Sequence, residues 1–151
     1  MTVPHKTPIG PPFAMTLTVR DTCMCLHVQR AARALARRFD EALKPFGLTN
    51  QQFSLLMSLN RPQAPQMKEV ASVLALDRTT LTANLKPLER RGLLQIASDE
   101  SDKRSRRLAL TDAGRAALVA ALPAWCATEE AVEAGLKGEA EALRQELRAL
   151  G

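Results

Sequence analysis

Tyrosine is absent from this 151-residue sequence, and aromatic residues make up only 3% of it. Any core must therefore be built from aliphatic side chains. No run of about 18 consecutive apolar residues is present, which is what a membrane-spanning helix needs. The N-terminus lacks the apolar stretch of a secretory signal. Cysteine is scarce and odd in number, at Cys23, Cys25 and Cys126. That count, without a secretory signal, argues against a small disulfide-stapled scaffold. No phosphate-binding loop, Ser/His/Asp set or paired-carboxylate motif stands out. The expectation is a protein that is not an enzyme and carries no cofactor.

What is there is ordinary globular composition, 46% hydrophobic and 25% charged, which argues against wholesale disorder. The length suits one domain or slightly more, enough for a real core. The net charge is +5, and the sequence pI is near 9.6. That sign favours a polyanionic partner without separating DNA from RNA or an anionic membrane. The charge is uneven. Residues 66–115 hold 10 Lys/Arg against 7 Asp/Glu, residues 116–151 hold 3 against 6, and the preceding part holds 8 against 3. A basic body with an acidic C-terminal segment fits a nucleic-acid reader whose association region lies elsewhere.

The stretch 66–111 organises the chain. Val70, Val73 and Leu74 fall on one face of a first helix, and Leu81, Leu85 and Leu88 on one face of a second. Asp77 lies between them and suits the N-cap of the second. Two short helices in tandem with a tight connection predict a helix-turn-helix. Gly92 ends the second helix. Leu93, Leu94 and Ile96 then precede a polar segment, Ser98–Asp102, and Leu108 and Leu110 follow. This spacing predicts a hairpin that projects as a flap. The fold class expected is mainly α with a small β-hairpin wing: a winged helix-turn-helix with helices before and after it.

The residues LDRTTLTANLKPLERRGLL, followed by DKRSRRLALTDAGRAAL, resemble the DNA-binding core of the MarR family of bacterial transcriptional regulators. The Asp-Arg-Thr-Thr opening of the recognition helix, the L-E-R-x-G-L exit, the D-x-R wing tip and the L-T-x-x-G start of the next helix occur in order. The resemblance extends over roughly Thr18–Leu150. It implies a homodimer whose N- and C-terminal helices interlock, bound to a pseudo-palindromic operator in double-stranded DNA. It further implies a repressor in the cytoplasm, released by a small-molecule effector or by thiol oxidation, with no membrane partner. A basic RNA- or membrane-associated module is the competing class.

In chain order, residues 1–15 read as a flexible arm, since Pro4, Pro8, Pro11 and Pro12 cannot sit in a helix interior. Residues 16–46 and 112–151 read as a helical dimerisation region, and 48–111 as the winged helix-turn-helix. Thr18–Lys44 is expected to be one helix with Val28, Ala32, Leu35, Phe39 and Leu43 along one stripe. Its other side carries Arg30, Arg33 and Arg37, which reads as a solvated face. Thr49 and Gln52 form a capping box for the next helix. Thr111 caps a helix that Pro123 should bend. Gly135 and Gly138 mark its end. Leu136, Ala140, Leu143, Leu147 and Leu150 then repeat as a seven-residue apolar seam. A helix this short needs a partner surface, so Leu136, Leu143 and Leu147 are the candidate dimerisation residues.

On the recognition helix, the face opposite the leucines carries Thr79, Thr82, Ala83, Lys86 and Arg90, with Arg78 and Thr80 flanking its first turn. Threonine can bond phosphates or base edges, and Arg and Lys can reach guanine or phosphate. The candidate DNA-binding residues are Arg78, Thr79, Thr80, Thr82, Lys86, Lys103, Arg104 and Arg106. Ala83 stands where many relatives carry a longer polar side chain, and Pro87 lacks the N–H that would bond Ala83. In the wing, the resemblance implies that Asp102 braces Arg104 and that Arg104 enters the minor groove. Arg106 and Arg107 point to opposite faces of a strand, and Arg106 is the one expected on the DNA side.

Cys-Met-Cys-Leu-His at 23–27 invites a metal reading, but residues two apart lie about 200° apart around a helix axis. Only Cys23 and His27 could meet, and no metal site is expected. The plain reading is small side chains packed in the interior. Within the family, the resemblance to organic-hydroperoxide sensors puts Cys25 at the position of the reactive thiol and Cys126 near that of a resolving one. Those sensors place Tyr hydroxyls around the sulfur, whereas Phe39 and Gln29 stand here. By helical position, Cys25 is expected at the edge of the apolar stripe and Cys23 toward the polar side.

Overall fold

The computed structural model describes residues 10–151. Most of the expected arm, with Pro4 and Pro8, lies outside the described residues. By its contacts the chain divides into an N-terminal unit ending at Leu35 and a larger unit, Ala36–Gly151.

In the N-terminal unit, α1 spans Phe13–Thr22 and α2 begins at Met24 and runs to Leu43. The single helix expected from Thr18 therefore starts earlier and is interrupted. Pro12 sits at the N-cap of α1 with φ −56° and ψ 144°, where no intrahelical N–H is required. Cys23 makes the break with extended backbone, φ −70° and ψ 106°. The hydroxyls of Thr18 and Thr22 donate to the carbonyls of Ala14 and Thr18 at 3.1 and 2.8 Å, back-bonding that weakens a helix at such a point. Cys23 is half-buried and Cys25 is exposed, the reverse of the sequence expectation; the stripe that Cys25 flanks is itself exposed at Ala32 and Leu35. His27 Nδ1 lies 2.8 Å from the Cys23 carbonyl oxygen.

The larger unit holds the core. The last turns of α2 bury Phe39 and Leu43. A 3₁₀ turn, Lys44–Phe46, follows and closes on Gly47 at φ 67°. Helix α3, Asn50–Ser58, starts with the expected capping box. Gln52 N–H donates to Thr49 Oγ1 at 3.2 Å, and Thr49 N–H to Gln52 Oε1 at 3.1 Å. The Asp40 carboxylate accepts the Asn50 N–H at 2.7 Å, tying α2 to the same helix start. Trp125 stacks on Phe53 with centroids 5.9 Å apart and meets Phe39 at 6.1 Å. Around this aromatic corner the core is leucine and valine, as the absence of Tyr requires.

The helix-turn-helix is α4, Met67–Val73, and α5, Arg78–Arg90. Val70 is buried, but Val73 is 64% exposed. Seven residues make barely two turns, so α4 has one buried stripe, and Ala71, Leu74 and Leu76 complete it. The turn passes through Ala75 at φ 50°, a left-handed conformation that favours glycine. Asp77 caps α5 by accepting the Thr80 N–H at 2.9 Å. Leu81, Leu85 and Leu88 are fully buried. Gly92, at φ 70°, ends the segment.

The wing is an antiparallel pair, β1 (Leu94–Ser98) and β2 (Arg106–Leu110), with Ile96 opposite Leu108 and Ser98 opposite Arg106. The outer edge of β2 is covered in part by the segment before α4. Leu108 N–H donates to the Pro65 carbonyl at 3.0 Å, and Gln66 bridges Arg107.

Helix α6 spans Asp112–Ala134. Thr111 fastens its start: the hydroxyl donates to the Gly92 carbonyl at 2.6 Å and accepts the Gly114 N–H at 3.0 Å. Pro123 lies within α6. The carbonyl it leaves without an intrahelical donor belongs to Val119, an exposed residue. After Gly135 the chain turns into α7, Ala140–Ala149. Leu136 therefore lies in the connection, and Leu150 caps the last turn. Arg144 of α7 reaches back to Glu129, at 2.9 Å, and to Glu133 of α6, while Glu141 takes Arg148. Leu143 and Leu147 are each 44% exposed, so the described residues leave the seam partly uncovered.

Candidate nucleic-acid interface

Three of the cations expected to contact DNA are brought together. Arg78 at the start of α5, and Arg104 and Arg106 of the wing, line one open cleft of about 290 Å³ with Met67, Lys68, Ala71 and Ser105. Lys68 is the member that sequence reasoning missed. Its signal was a lysine in the first turn of α4, one residue from a core position. Arg106 is exposed and its guanidinium bonds Ser98 Oγ across the hairpin. Lys86 and Lys103 are exposed outside the cleft lining.

The threonines divide by what their hydroxyls already do. Thr80 donates to Asp77 Oδ2 at 2.6 Å, completing the cap. Its hydroxyl and amide together hold the Asp77 carboxyl below the usual carboxylate range. Thr82 donates to the Arg78 carbonyl at 2.8 Å. Both hydroxyls therefore have their proton engaged and are left to accept, and of the three only Thr79 has no such bond.

Asp102 differs from the expected brace. Its carboxylate accepts the Arg104 backbone N–H at 3.0 Å, while the Ser105 N–H donates to its carbonyl at 2.8 Å. Asp102 thus shapes the tip turn as an Asx-type cap. The Arg104 guanidinium makes no ion pair among the described residues.

The acid that carries the load is Asp99, which the sequence reading left in the loop. Its side chain is 2% exposed. It accepts the Ser101 hydroxyl at 2.7 Å and N–H at 2.8 Å, and Gln66 Nε2 at 3.2 Å. Arg107 Nε lies 2.7 Å away. These donors, the Ser101 hydroxyl foremost, hold the Asp99 carboxyl well below the ordinary carboxylate range. Arg107 also donates to the Ala64 carbonyl at 2.8 Å. It is therefore turned away from the cleft, on the strand face opposite Arg106.

Among the described residues, no three His, Cys, Asp or Glu side chains are grouped to hold a metal, and no helix is long and apolar enough to cross a membrane.

Comparison with known proteins agrees with this architecture. Residues 48–105 match the model of the MarR family. The HTH-type transcriptional regulator TtmR of Methylorubrum extorquens is 38% identical over 95 residues, 63% of this chain and 49% of that protein. The match thus spans about half the length of that relative. The DNA complex of the Mycobacterium tuberculosis transcriptional regulator MosR superposes with a TM-score of 0.78 at 39% identity, over 85% of this chain and 92% of that one. The transcriptional repressor CouR, bound to a 23-mer duplex, gives a TM-score of 0.69 at 31% identity, over 84% and 88%. With four motif pieces in order on a winged helix-turn-helix, and this likeness extending over most of its length, the chain belongs to the MarR family.

Proposed function

We propose that the protein is a transcriptional regulator that binds a pseudo-palindromic operator in duplex DNA as a homodimer, and that it represses. The observation that carries this reading is the cleft where Lys68, Arg78, Arg104 and Arg106 converge between the helix-turn-helix and the wing. Cations from two elements on one face suit a phosphate backbone running between a major groove that takes α5 and a minor groove that takes the wing. The repressor assignment draws on CouR, the activity on TtmR and MosR. No catalytic step enters this reading, and the place of action is the cytoplasm. The test is Arg104→Ala against a duplex selected from a random library with the wild-type protein. Binding should weaken, and the slope of log affinity against log salt should shrink by about 2, as expected for one lost phosphate neutralisation in each protomer of the dimer. Unchanged binding and slope would refute the wing's role. Binding abolished by excess RNA would favour the RNA module.

The dimer reading assigns association to 16–46 and 112–151, with Leu136, Leu143 and Leu147 on the shared surface. It is supported by the exposed apolar side of α7 and by Ala32 and Leu35, also exposed.

For the input, an apolar hollow of about 320 Å³ lies among α3, α4 and α6, lined by Phe53, Met57, Val73, Leu74, Leu122 and Trp125 with two serines. A small, largely apolar ring compound fits it and would press on α4, the first helix of the DNA reader. Trp125 is the only tryptophan, so occupancy should change its fluorescence together with operator release. Thiol oxidation is the second reading, supported by the exposure of Cys25 and Cys126. Hydroperoxide-driven release that disappears in Cys25→Ser would favour it over the ligand.

A further inference from the structure

The buried carboxylate behind the wing has no place in the DNA contacts themselves. We infer that Asp99, Arg107 and Gln66 are positioning residues for operator binding: together they fix the wing against the helix-turn-helix and so set the width of the cationic cleft. The inference rests on the reading that this cleft faces DNA.

The three side chains come from three places. Gln66 is the N-cap of α4, Asp99 directly follows β1, and Arg107 lies in β2. The carboxylate gathers all of them. Gln66 Nε2 reaches it at 3.2 Å, Arg107 Nε at 2.7 Å, and the Ser101 N–H and hydroxyl at 2.8 and 2.7 Å. The other arm of the guanidinium holds the Ala64 carbonyl at 2.8 Å. Arginine makes this possible because its fork can serve a carboxylate and a carbonyl at once in fixed geometry.

A hairpin of two five-residue strands is marginal by itself. A wing held only by its own ladder would swing at its root. Here the acceptors of a buried charge are met, and a fully satisfied buried network is stiff. The stiffness has a direction. The clasp ties the wing to residues 64–66, and α4, beginning at Met67, carries Lys68 on the other side of the cleft. Arg104 and Arg106 project from the same hairpin that Asp99 and Arg107 anchor. If the clasp opens, Arg104 and Arg106 move relative to Lys68 and Arg78, although none of the four is altered.

The test uses full-length Arg107→Gln and Asp99→Asn, with Arg107→Lys as the milder variant and Arg104→Ala as the contact control. Each is measured on the duplex selected by the wild-type protein. Fraction folded is fixed by circular dichroism, and hydroxyl-radical footprints are taken alongside. The folded clasp variants should bind about tenfold more weakly and lose part of the salt slope, because the wing's cations leave their phosphates although neither Asp99 nor Arg107 touches one; Arg104→Ala should lose about 2 from that slope, one for each protomer. Their footprints should fade at the flanks under the wing and persist under α5. Arg107→Lys keeps a charge for Asp99 but lacks the fork for Ala64, and should fall between. Uniform fading that follows the unfolded fraction would mean that the clasp supports folding only, and would overturn the inference. So would wild-type affinity and footprint in folded Arg107→Gln and Arg107→Lys. If Arg104→Ala also binds as wild type, the assignment of the cleft to DNA fails instead.

Discussion

Gly114→Ala tests the packing on which the wing's root depends. Gly114 lies in the first turn of α6, and a Cβ built there meets the Leu93 carbonyl oxygen at 2.1 Å and Leu110 Cδ1 at 2.7 Å. The first contact is about 1 Å closer than the roughly 3.3 Å at which carbon and carbonyl oxygen settle. Leu93 O is backbone, so no rotamer change relieves the clash. The same oxygen accepts the Thr111 N–H at 3.2 Å, and moving it strains that bond as well. Overpacking of this kind costs about 1–3 kcal/mol, and a weakened backbone hydrogen bond adds roughly 1 kcal/mol. Against this, alanine gains at most about 1 kcal/mol in helix propensity. The net expectation is a loss of about 2 kcal/mol, or a melting point lower by roughly 4–8 °C for a chain of this size. Urea denaturation at one fixed protein concentration, followed by circular dichroism, measures it. Gly138→Ala is the control, because a Cβ there meets nothing within 4 Å. A Gly114→Ala protein as stable as the control would refute the steric argument.

Three further outcomes follow from other sites. Ala75→Gly relieves the left-handed alanine at φ 50° and should stabilise by about 0.5–1 kcal/mol in the same urea experiment, after the flexibility glycine adds to the unfolded chain is subtracted. Asp99 is depressed below its unfolded value in the folded chain, so its contribution is present above that value and is lost as pH falls through the folded one. The stability gap between wild type and Asp99→Asn should therefore be full at pH 7 and narrow below about pH 4, and operator affinity between pH 5 and 8 should not titrate through Asp99. Replacing Leu143 and Leu147 together by Glu leaves the buried core of the chain intact and should give monomers by sedimentation velocity; a persistent dimer would remove α7 from the interface.

Where a signal is local, the sequence was readable. Thr49, Asp77 and Thr111 are short oxygen-bearing side chains just ahead of an apolar period, and each accepts from the N–H three residues on. Gly92 and the alternation around Ile96 and Leu108 placed the helix end and the hairpin for the same reason. The likeness to the MarR family then fixed the order of the pieces. What escaped depends on contacts distant along the chain. Asp99 looked like one more loop acid, because nothing in its neighbourhood announces Gln66, 33 positions earlier. Val73 matched the helical period of Val70 but falls in the last turn of a short helix, where half of that face has no neighbour. Phe13 was hidden behind Pro11 and Pro12, which exclude a helix interior and yet are acceptable just before a first turn. Cys25 flanks the stripe in the same helix as Val28 and Ala32, but that end of the stripe is itself exposed at Ala32 and Leu35, which the period alone does not reveal.

The elbow between α6 and α7 is joined by Arg144 and its glutamates, with side chains 29–40% exposed. Mobile ions reach such pairs and screen them, whereas the clasp keeps its carboxylate buried, Asp99 being 2% exposed. Raising salt therefore acts on this protein twice: it weakens each phosphate contact and loosens the arm that carries the apolar seam. Counterion release alone gives a straight line of log affinity against log salt. With the elbow included, the line should bend downward at high salt, and only its low-salt limb counts the phosphates held by one dimer.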